Sequence, residues 1–474
     1  MPLHSLTFLL LLAAGLPIYL RVPAEQRGRL LLLLSLAYYA TFRWDAVLLL
    51  LGTALVGYVA GIRLDQDRPP LHRRAVVTLA VGLLVTGLAV NTSAAFLVTA
   101  ANQLVGRDVL PVPQVVAAAG VSFYIFTCLS YVIDVYRRTT PAEHRPEALL
   151  LYLSYFPKVL AGPIVRMEAW RASLDRAGHL SPADLTSGAQ LLLWGLFKKV
   201  VVADRLAPMV DAAYRLPALS APADLLLASY LFAFQIYCDF SAYSDMAVGC
   251  SRMLGLTLPE NFQRPYLAVS VREFWAHRWH RTLSAWFADY LYRPLGGNRR
   301  GAWRTRWNLM AVFALSGLWH GAHWTFLVWG GLNGLYVWVE DLLGGTSRRT
   351  VGADGAPWVR HARRLVTFHL ILLSWIFFRA DTVDAAVTIL TRIAAAGASL
   401  PTQVWLRMTE PAWLVAVALI GVVMATDILD ERQALRERTH QWPVAVQWTV
   451  AYGLLAMLLV AGQWNLTRFV YMQF

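Results

Sequence analysis

The chain has 474 residues, of which 57% are hydrophobic, and it carries a formal net charge of +13 at pH 7. Apolar runs of membrane-spanning length recur from one end of the chain to the other, which excludes an ordinary soluble enzyme and indicates a polytopic membrane protein. The basic residues lie in short loops between these runs and form no single patch, so the charge does not indicate nucleic-acid binding.

The apolar runs predict an all-α polytopic membrane protein with roughly 11–13 membrane spans plus re-entrant and interfacial helices. Several runs are shorter than the roughly 20 residues that a helix needs to cross a bilayer, so we expect them to be shielded from lipid inside the protein. No internal repeat or soluble segment is visible, and residues 1–474 are predicted to form one membrane domain, with a core at 118–345 and a tail at 465–474. The candidate spans in chain order are Leu3–Leu20, Leu30–Phe42, Ala46–Gly61, Ala75–Leu97, Val112–Tyr136, Ala189–Ala203, Leu225–Tyr237, Leu309–Trp324, Thr325–Val339, Leu365–Phe378, Trp413–Thr426 and Val444–Val460.

Basic loops set the predicted orientation of these spans. The segments that follow the first, third and fifth spans are Arg21–Arg29, Arg63–Arg74 and Arg137–Arg145. The positive-inside rule places them in the cytoplasm, which puts the N-terminus on the extracytoplasmic side. It also places three later basic segments in the cytoplasm, which puts the C-terminus on the extracytoplasmic side; they are Arg299–Arg306, Arg348–Arg364 and Arg432–Arg438. Leu3–Leu20 has no basic segment before it and no small-residue cleavage site, so we interpret it as a retained helix and not a signal peptide.

The cysteines indicate neither a disulfide framework nor a zinc site. Cys128, Cys238 and Cys250 lie in or beside apolar segments and show no CxxC spacing. No metal site is predicted anywhere in the chain.

A first polar cluster occupies Tyr155–Arg166. Pro157, Gly162 and Pro163 interrupt any regular helix there and favour a re-entrant turn. The alternative is a kinked loop that carries Lys158 and Arg166 at the membrane interface.

A second polar cluster, Tyr237–Met246, contains Asp239 and Asp245. Six residues correspond to about 240° around a helix, so these carboxylates do not share one face. We expect each to bond a different neighbour within a structural polar network.

The third cluster, Ser270–Phe287, combines tryptophans near helical spacing with interleaved arginines and predicts an amphipathic helix at the interface. That pattern does not account for His280. It also does not account for the GGNRRG turn that holds Arg299 and Arg300, because backbone amides and arginines in a turn are suited to phosphate groups.

The fourth cluster is ALSGLWHGAHW at Ala314–Trp324, which places His320 in an apolar run. A neutral imidazole in a low-dielectric site can act as a general base near pH 7. Gly317 and Gly321 flank this histidine, and we expect them to let a substrate approach the ring. The alternative is a purely structural histidine.

Taken together, these segments resemble the membrane-bound O-acyltransferase family, and within it the bacterial alginate O-acetyltransferase branch. The resemblance extends over nearly the whole chain. The matching motifs, in order, are GVSFYIFTCLSYVIDVYR (Gly120–Arg137), SYFPKVLAGPIVR (Ser154–Arg166), GLFKKVVVADRLA (Gly195–Ala207), DFSAYSDMAVG (Asp239–Gly249), ENFQRPYLAVSVREFW (Glu260–Trp275), RWHRTLSAWFADYLYRPLGGNRRG (Arg278–Gly301) and GLWHGAHWTFLVWG (Gly317–Gly330).

This resemblance implies a helical bundle with a central tunnel in a bacterial cytoplasmic membrane. His320 matches the family's catalytic histidine and His280 its second histidine. The implied reaction moves an acetyl group from cytoplasmic acetyl-CoA, a substrate and not a permanently bound cofactor, to a hydroxyl acceptor. Candidate donor-binding residues are Arg278, Trp279, Arg299 and Arg300. An extracytoplasmic acetyltransferase partner would then modify a polysaccharide such as alginate, cellulose or peptidoglycan.

The tail Arg468–Phe474 is similar to the aromatic tail of this branch and to that of a small protein that accompanies the teichoic-acid D-alanyl transferase. The resemblance implies that Tyr471 is an acyl relay. The alternative is an aromatic anchor at the membrane interface.

Three other functions remain open from the sequence. D-alanyl or other acyl transfer from an acidic carrier protein would use the same basic cytoplasmic surface. An ion-coupled transporter would use the polar residues at membrane depth as an ion pathway. A structural scaffold for a polysaccharide synthase would need no catalytic histidine.

Overall fold

The computed structural model describes residues 1–67, 69–113, 118–176, 180–344, 356–433, 442–464 and 469. These residues form helices and connecting turns, and no β-strand occurs among them. The prediction of an all-α polytopic membrane protein is confirmed.

Six helices in the described part of the chain are long and apolar enough to cross a bilayer, judged by length and composition. A bent pair, Val383–Ala395 with Gly397–Met408, makes a seventh candidate. This is fewer than the roughly 11–13 spans expected from the sequence, because several apolar runs form shorter helices. One of them, Val121–Tyr136, has most of its side chains buried in protein, as expected for a short apolar helix. The six are Ala46–Asp65, Pro70–Thr92, Pro182–Tyr214, Pro222–Met253, Pro411–Arg432 and Val444–Ala461.

The helices divide into two compact units, the first made of Met1–Leu192 and Tyr243–Glu260 and the second of Leu193–Ala242 and Asn261–Val470. The prediction of one membrane domain stays a prediction.

In chain order the α-helices are α1 Leu6–Arg21, α2 Ala24–Ala40, α3 Ala46–Asp65, α4 Pro70–Thr92, α5 Ala94–Val105, α6 Val121–Tyr136, α7 Pro146–Ser154, α8 Met167–Arg176, α9 Pro182–Leu196, α10 Asp204–Tyr214, α11 Pro222–Met253, α12 Val271–Glu273, α13 Arg281–Phe287, α14 Gly301–His320, α15 Trp324–Leu342, α16 Pro357–Arg379, α17 Val383–Ala395, α18 Leu400–Met408, α19 Pro411–Gln433 and α20 Val444–Ala461.

Small residues allow close packing in the first unit, where α3 lies against α6. A Cβ atom added at Gly57 would lie 2.6 Å from the Sγ of Cys128, and one at Gly61 would overlap the hydroxyl of Tyr131. Glycine at these positions lets the two backbones approach, which is a common device in membrane helix packing.

The Tyr155–Arg166 segment lies between α7 and α8 of the first unit. The chain is buried from residue 151 to residue 165, so Lys158 is not an exposed side chain of a surface loop. The Nζ atom of Lys158 lies 4.8 Å from the ring centre of Tyr152 and 5.7 Å from that of Trp170. Aromatic faces therefore accommodate this buried amine.

In the second unit a π-helix at Phe197–Ala203 joins α9 to α10, and all of its residues are buried. Lys199 lies there between two carboxylates, with its Nζ atom 2.7 Å from Asp239 and 2.8 Å from Asp204. The expectation that Asp239 belongs to a buried polar network is confirmed, with a partner 40 residues away in sequence.

Candidate active site

The Ser270–Phe287 segment does not form the amphipathic interfacial helix expected from its tryptophans. It consists of α12, a π-helical turn at Phe274–Arg278, a break at Trp279–His280 and then α13. Trp279 and Trp286 are buried. At the break a second stretch of chain bonds to this one, with the amide of Gln263 donating to the carbonyl of Arg278 at 2.9 Å.

His280 sits at this break with a φ angle of 44°, in the left-handed region that non-glycine residues rarely occupy. The side chain is 2% exposed. Its Nδ1 atom lies 3.1 Å from Oδ1 of Asn261, and the ring of Phe240 meets it edge-on at 4.8 Å. His280 lies outside every candidate span. Burial lowers the pKa of its imidazole to about 3. The imidazole is therefore neutral at physiological pH.

His320 is the last residue of α14 and is also buried. Its ring centre lies 4.9 Å from Trp329 and 5.3 Å from Phe378, both edge-on. The site around this imidazole is consequently aromatic, with a low local dielectric.

The glycines beside His320 make room for protein and not for a substrate. A Cβ atom at Gly317 would lie 2.3 Å from the carbonyl oxygen of Phe326, and one at Gly321 would lie 2.3 Å from the Phe326 ring. Both positions are filled by α15, so the expectation of a substrate path past these glycines is wrong. They allow α14 and α15 to pack closely around His320.

The structure brings the two predicted histidines together. Trp319 lies beside both, with its ring centre 6.2 Å from that of His280 and 4.7 Å from that of His320. The two imidazoles are near enough to influence each other electrostatically. Two buried, neutral imidazoles in an aromatic surround form a site suited to proton transfer.

Two of the predicted donor-binding residues are built into the packing next to His280. Trp279 is fully buried and stacks on Phe274 at 5.5 Å. Arg278 donates to Glu273 at 2.6 Å and to Glu431 at 3.0 Å. Burial opposes its charge, but these carboxylates outweigh burial and raise the pKa of Arg278 above its ordinary value. Contact of either residue with a donor stays a prediction.

Arg299 and Arg300 differ from that pair because their side chains are exposed. The turn before them depends on Gly296 and Gly297, whose φ angles of 110° and 56° favour glycine. Asn308, which is buried in α14, donates from Nδ2 to the carbonyl of Gly297 at 3.0 Å. Sequence reasoning found this turn but missed the asparagine that holds it.

Tyr471 lies outside the described residues. Phe469, two positions earlier, is 1% exposed, and its ring centre lies 4.5 Å from the Nζ atom of Lys199. The chain before it is also fixed to the π-helix, because the amide of Gln463 donates to the carbonyl of Val200 at 2.7 Å. The role of Lys199 as a contact for the tail was not visible in the sequence.

Cys128, Cys238 and Cys250 are buried free thiols. Within the described ranges, no group of three or more His, Cys, Asp or Glu side chains is arranged to hold a metal ion.

Comparison with known proteins places these features in a family. The sequence model of the membrane-bound O-acyltransferase family matches residues 114–354, a range that includes both histidines and the GGNRRG turn. The chain is 36% identical over 388 residues to the probable alginate O-acetylase AlgI of Azotobacter vinelandii, covering 80% of this chain and 74% of that protein. It is 31% identical over 388 residues to the peptidoglycan O-acetyltransferase of Helicobacter pylori, covering 76% and 72%. A more distant relative is the teichoic acid D-alanyltransferase of Bacillus subtilis, 25% identical over 284 residues, covering 56% and 70%.

Proposed function

The chain belongs to the membrane-bound O-acyltransferase family, and we propose that it moves acetyl groups from cytoplasmic acetyl-CoA to an acceptor used in O-acetylation of an extracytoplasmic polysaccharide. The protein is thus an acyltransferase in a membrane. What we propose is the identity of the donor, the side of the membrane on which the donor binds, and a polysaccharide as the final acceptor.

The pairing of His280 and His320 in one buried aromatic site carries the proposal. In the proposed reaction the acceptor oxygen attacks the thioester carbonyl, the new C–O bond forms, and the C–S bond breaks. His320 takes the hydroxyl proton and returns it to the departing thiolate, so no proton is lost or gained overall. The low dielectric around the imidazoles strengthens each of these interactions.

The exposed Arg299 and Arg300 support a donor site for the phosphate groups of coenzyme A. Guanidinium groups bind phosphates through two parallel hydrogen bonds, and a turn next to them offers backbone amides. The positive-inside rule puts this turn in the cytoplasm, where acetyl-CoA is made.

The relatives named as alginate and peptidoglycan acetylating enzymes support a polysaccharide as the final acceptor. Transfer to it would pass through an extracytoplasmic partner. With both termini outside, Tyr471 would receive the acetyl group as a phenyl ester and hand it on. A phenyl ester is more activated than an alkyl ester, so the second transfer is favourable.

Tyr471→Phe tests this relay, because it keeps the ring and removes only the hydroxyl. We expect the variant to insert, to bind donor and to deliver no acetyl groups to the glycan. Acetylated glycan in the cell envelope is the measurement, and Tyr452→Phe, an exposed tyrosine on α20, is the matched control. Undiminished delivery would leave Tyr471 as an anchor.

D-alanyl transfer from a carrier protein is the second candidate function, and the teichoic acid D-alanyltransferase relative favours it. Binding and turnover experiments with purified protein in nanodiscs distinguish acetyl transfer from D-alanyl transfer. Direct binding of acetyl-CoA, with release of free coenzyme A when an acceptor hydroxyl is added, supports the acetyltransferase. Turnover only with an acylated carrier protein would contradict the acetyltransferase proposal and support acyl transfer from a carrier protein.

A further inference from the structure

Asn261 is a buried residue that approaches His280 from a different part of the chain. It is 1% exposed and lies 19 residues before the histidine. Its backbone carbonyl accepts from the amide of Arg281 at 2.9 Å, so both the backbone and the side chain of Asn261 bond to the turn around His280.

The side-chain oxygen of Asn261 meets three nitrogen or oxygen atoms. It lies 3.1 Å from Nδ1 of His280, 3.3 Å from the backbone amide of Thr282 and 2.7 Å from the hydroxyl of Thr282. The Thr282 amide can only donate, so it requires the oxygen and not the NH2 group of Asn261 at this position.

A carbonyl oxygen can only accept, so the atom of His280 that faces it must donate. Nδ1 therefore carries the proton. Since burial keeps the ring neutral, Nε2 is the nitrogen with the lone pair, and its chemistry is that of a proton acceptor.

The surroundings hold the ring in this orientation. Phe240 meets it edge-on, Phe262 lies nearly parallel to it at 6.5 Å, and Trp319 lies on a third side. The nearby titratable group on α14 is His320. The left-handed backbone at His280 carries a conformational cost, which the hydrogen bond from the Arg281 amide to the Asn261 carbonyl helps to offset.

We propose that Asn261 is a positioning residue that fixes His280 as the Nδ1–H tautomer, so that Nε2 accepts a hydrogen bond or proton during acyl transfer. This inference rests on the proposed acyl-transfer function for its kinetic consequence. The tautomer itself is a property of the protein at rest. It can therefore be tested without turnover.

Nitrogen-15 solid-state NMR of histidine-labelled protein in lipid is the first experiment. The signals that disappear in His280→Ala belong to His280. We expect a protonated Nδ1 and an unprotonated Nε2 in the wild type, and a mixture of tautomers in Asn261→Ala. A protonated Nε2 in the wild type would overturn the proposal, whatever the enzyme proves to transfer.

Kinetics of Asn261→Asp form the second experiment. This replacement keeps the shape and the accepting oxygen, and it deletes no bond of the described structure because Nδ2 of Asn261 has no hydrogen-bond partner there. The carboxylate favours a charged imidazole, so the acid limb of the kcat profile should move to higher pH by about one unit or more. Asn261→Ala should lower kcat about 10- to 100-fold with little change in the KM for acetyl-CoA.

Thr282→Val is the matched control, since it removes one donor to the same oxygen and leaves the bond between Asn261 and His280. Its acid limb should stay at the wild-type pH. An unshifted profile in folded Asn261→Asp would contradict the proposal. Failure of acetyl-CoA turnover in the wild type would instead contradict the proposed function, and the NMR result would still decide the tautomer.

Discussion

The histidine site and the GGNRRG turn lie in the same unit of the molecule and have opposite physical characters. His280 and His320 are buried among aromatic rings, whereas Arg299 and Arg300 are exposed beside a glycine turn. Burial suppresses the charge of an imidazole and strengthens its hydrogen bonds, which suits proton transfer. Exposure keeps a guanidinium charged and hydrated, which suits capture of a phosphate group that must later leave. This contrast supports the proposal that the histidine site carries out the chemistry and that the exposed turn contributes to donor binding.

Of the substitutions that test this contrast, replacement of His320 should have the largest effect. His320→Ala should lower kcat about 100- to 10,000-fold, because it removes the proposed general base. Acetyl transfer from labelled acetyl-CoA by protein of verified insertion is the measurement. His323→Ala changes an exposed histidine three positions on and should retain wild-type turnover. Wild-type turnover in His320→Ala would remove the base from the mechanism.

Helix packing around His320 gives the next largest effect. Gly317→Ala places a methyl group against the Phe326 carbonyl, and we expect it to destabilise the protein by about 1–3 kcal/mol and to reduce activity through displacement of His320. Thermal unfolding in detergent measures the loss of stability, and the rate of acetyl transfer measures the loss of activity. Gly331→Ala is the control, since no heavy atom lies within 4 Å of its added Cβ. Equal stability of the two variants would show that the glycine contact is unimportant.

The exposed turn gives the smallest effect and the clearest separation of the two regions. Arg299→Ala combined with Arg300→Ala should raise the KM for acetyl-CoA about tenfold, a cost of about 1.4 kcal/mol, and leave kcat nearly unchanged. The effect should shrink at high ionic strength because exposed charges are screened. Arg304→Ala, exposed in the first turn of α14, serves as the control. A change confined to kcat would place the donor site elsewhere.

Much of the architecture follows from the sequence, because a membrane helix needs a long apolar run and such runs are visible in one dimension. The runs at Ala46–Gly61 and Val444–Val460 became the helices Ala46–Asp65 and Val444–Ala461. The sequence also drew attention to His320, since a polar group in an apolar run is costly, and to the GGNRRG turn, since arginines beside glycines are suited to phosphate groups.

Only the tertiary structure shows which partners those polar groups have. Asn261 bonds His280 from 19 residues away, and Asp239 bonds Lys199 from 40 residues away. The glycines beside His320 looked like space for a substrate until Phe326, from the next helix, was seen to fill it. Burial and hydrogen bonding depend on which distant segments meet, whereas hydrophobic periodicity depends only on near neighbours. The sequence therefore determined the helices, and the tertiary packing determined the hydrogen-bond partners and the close contacts.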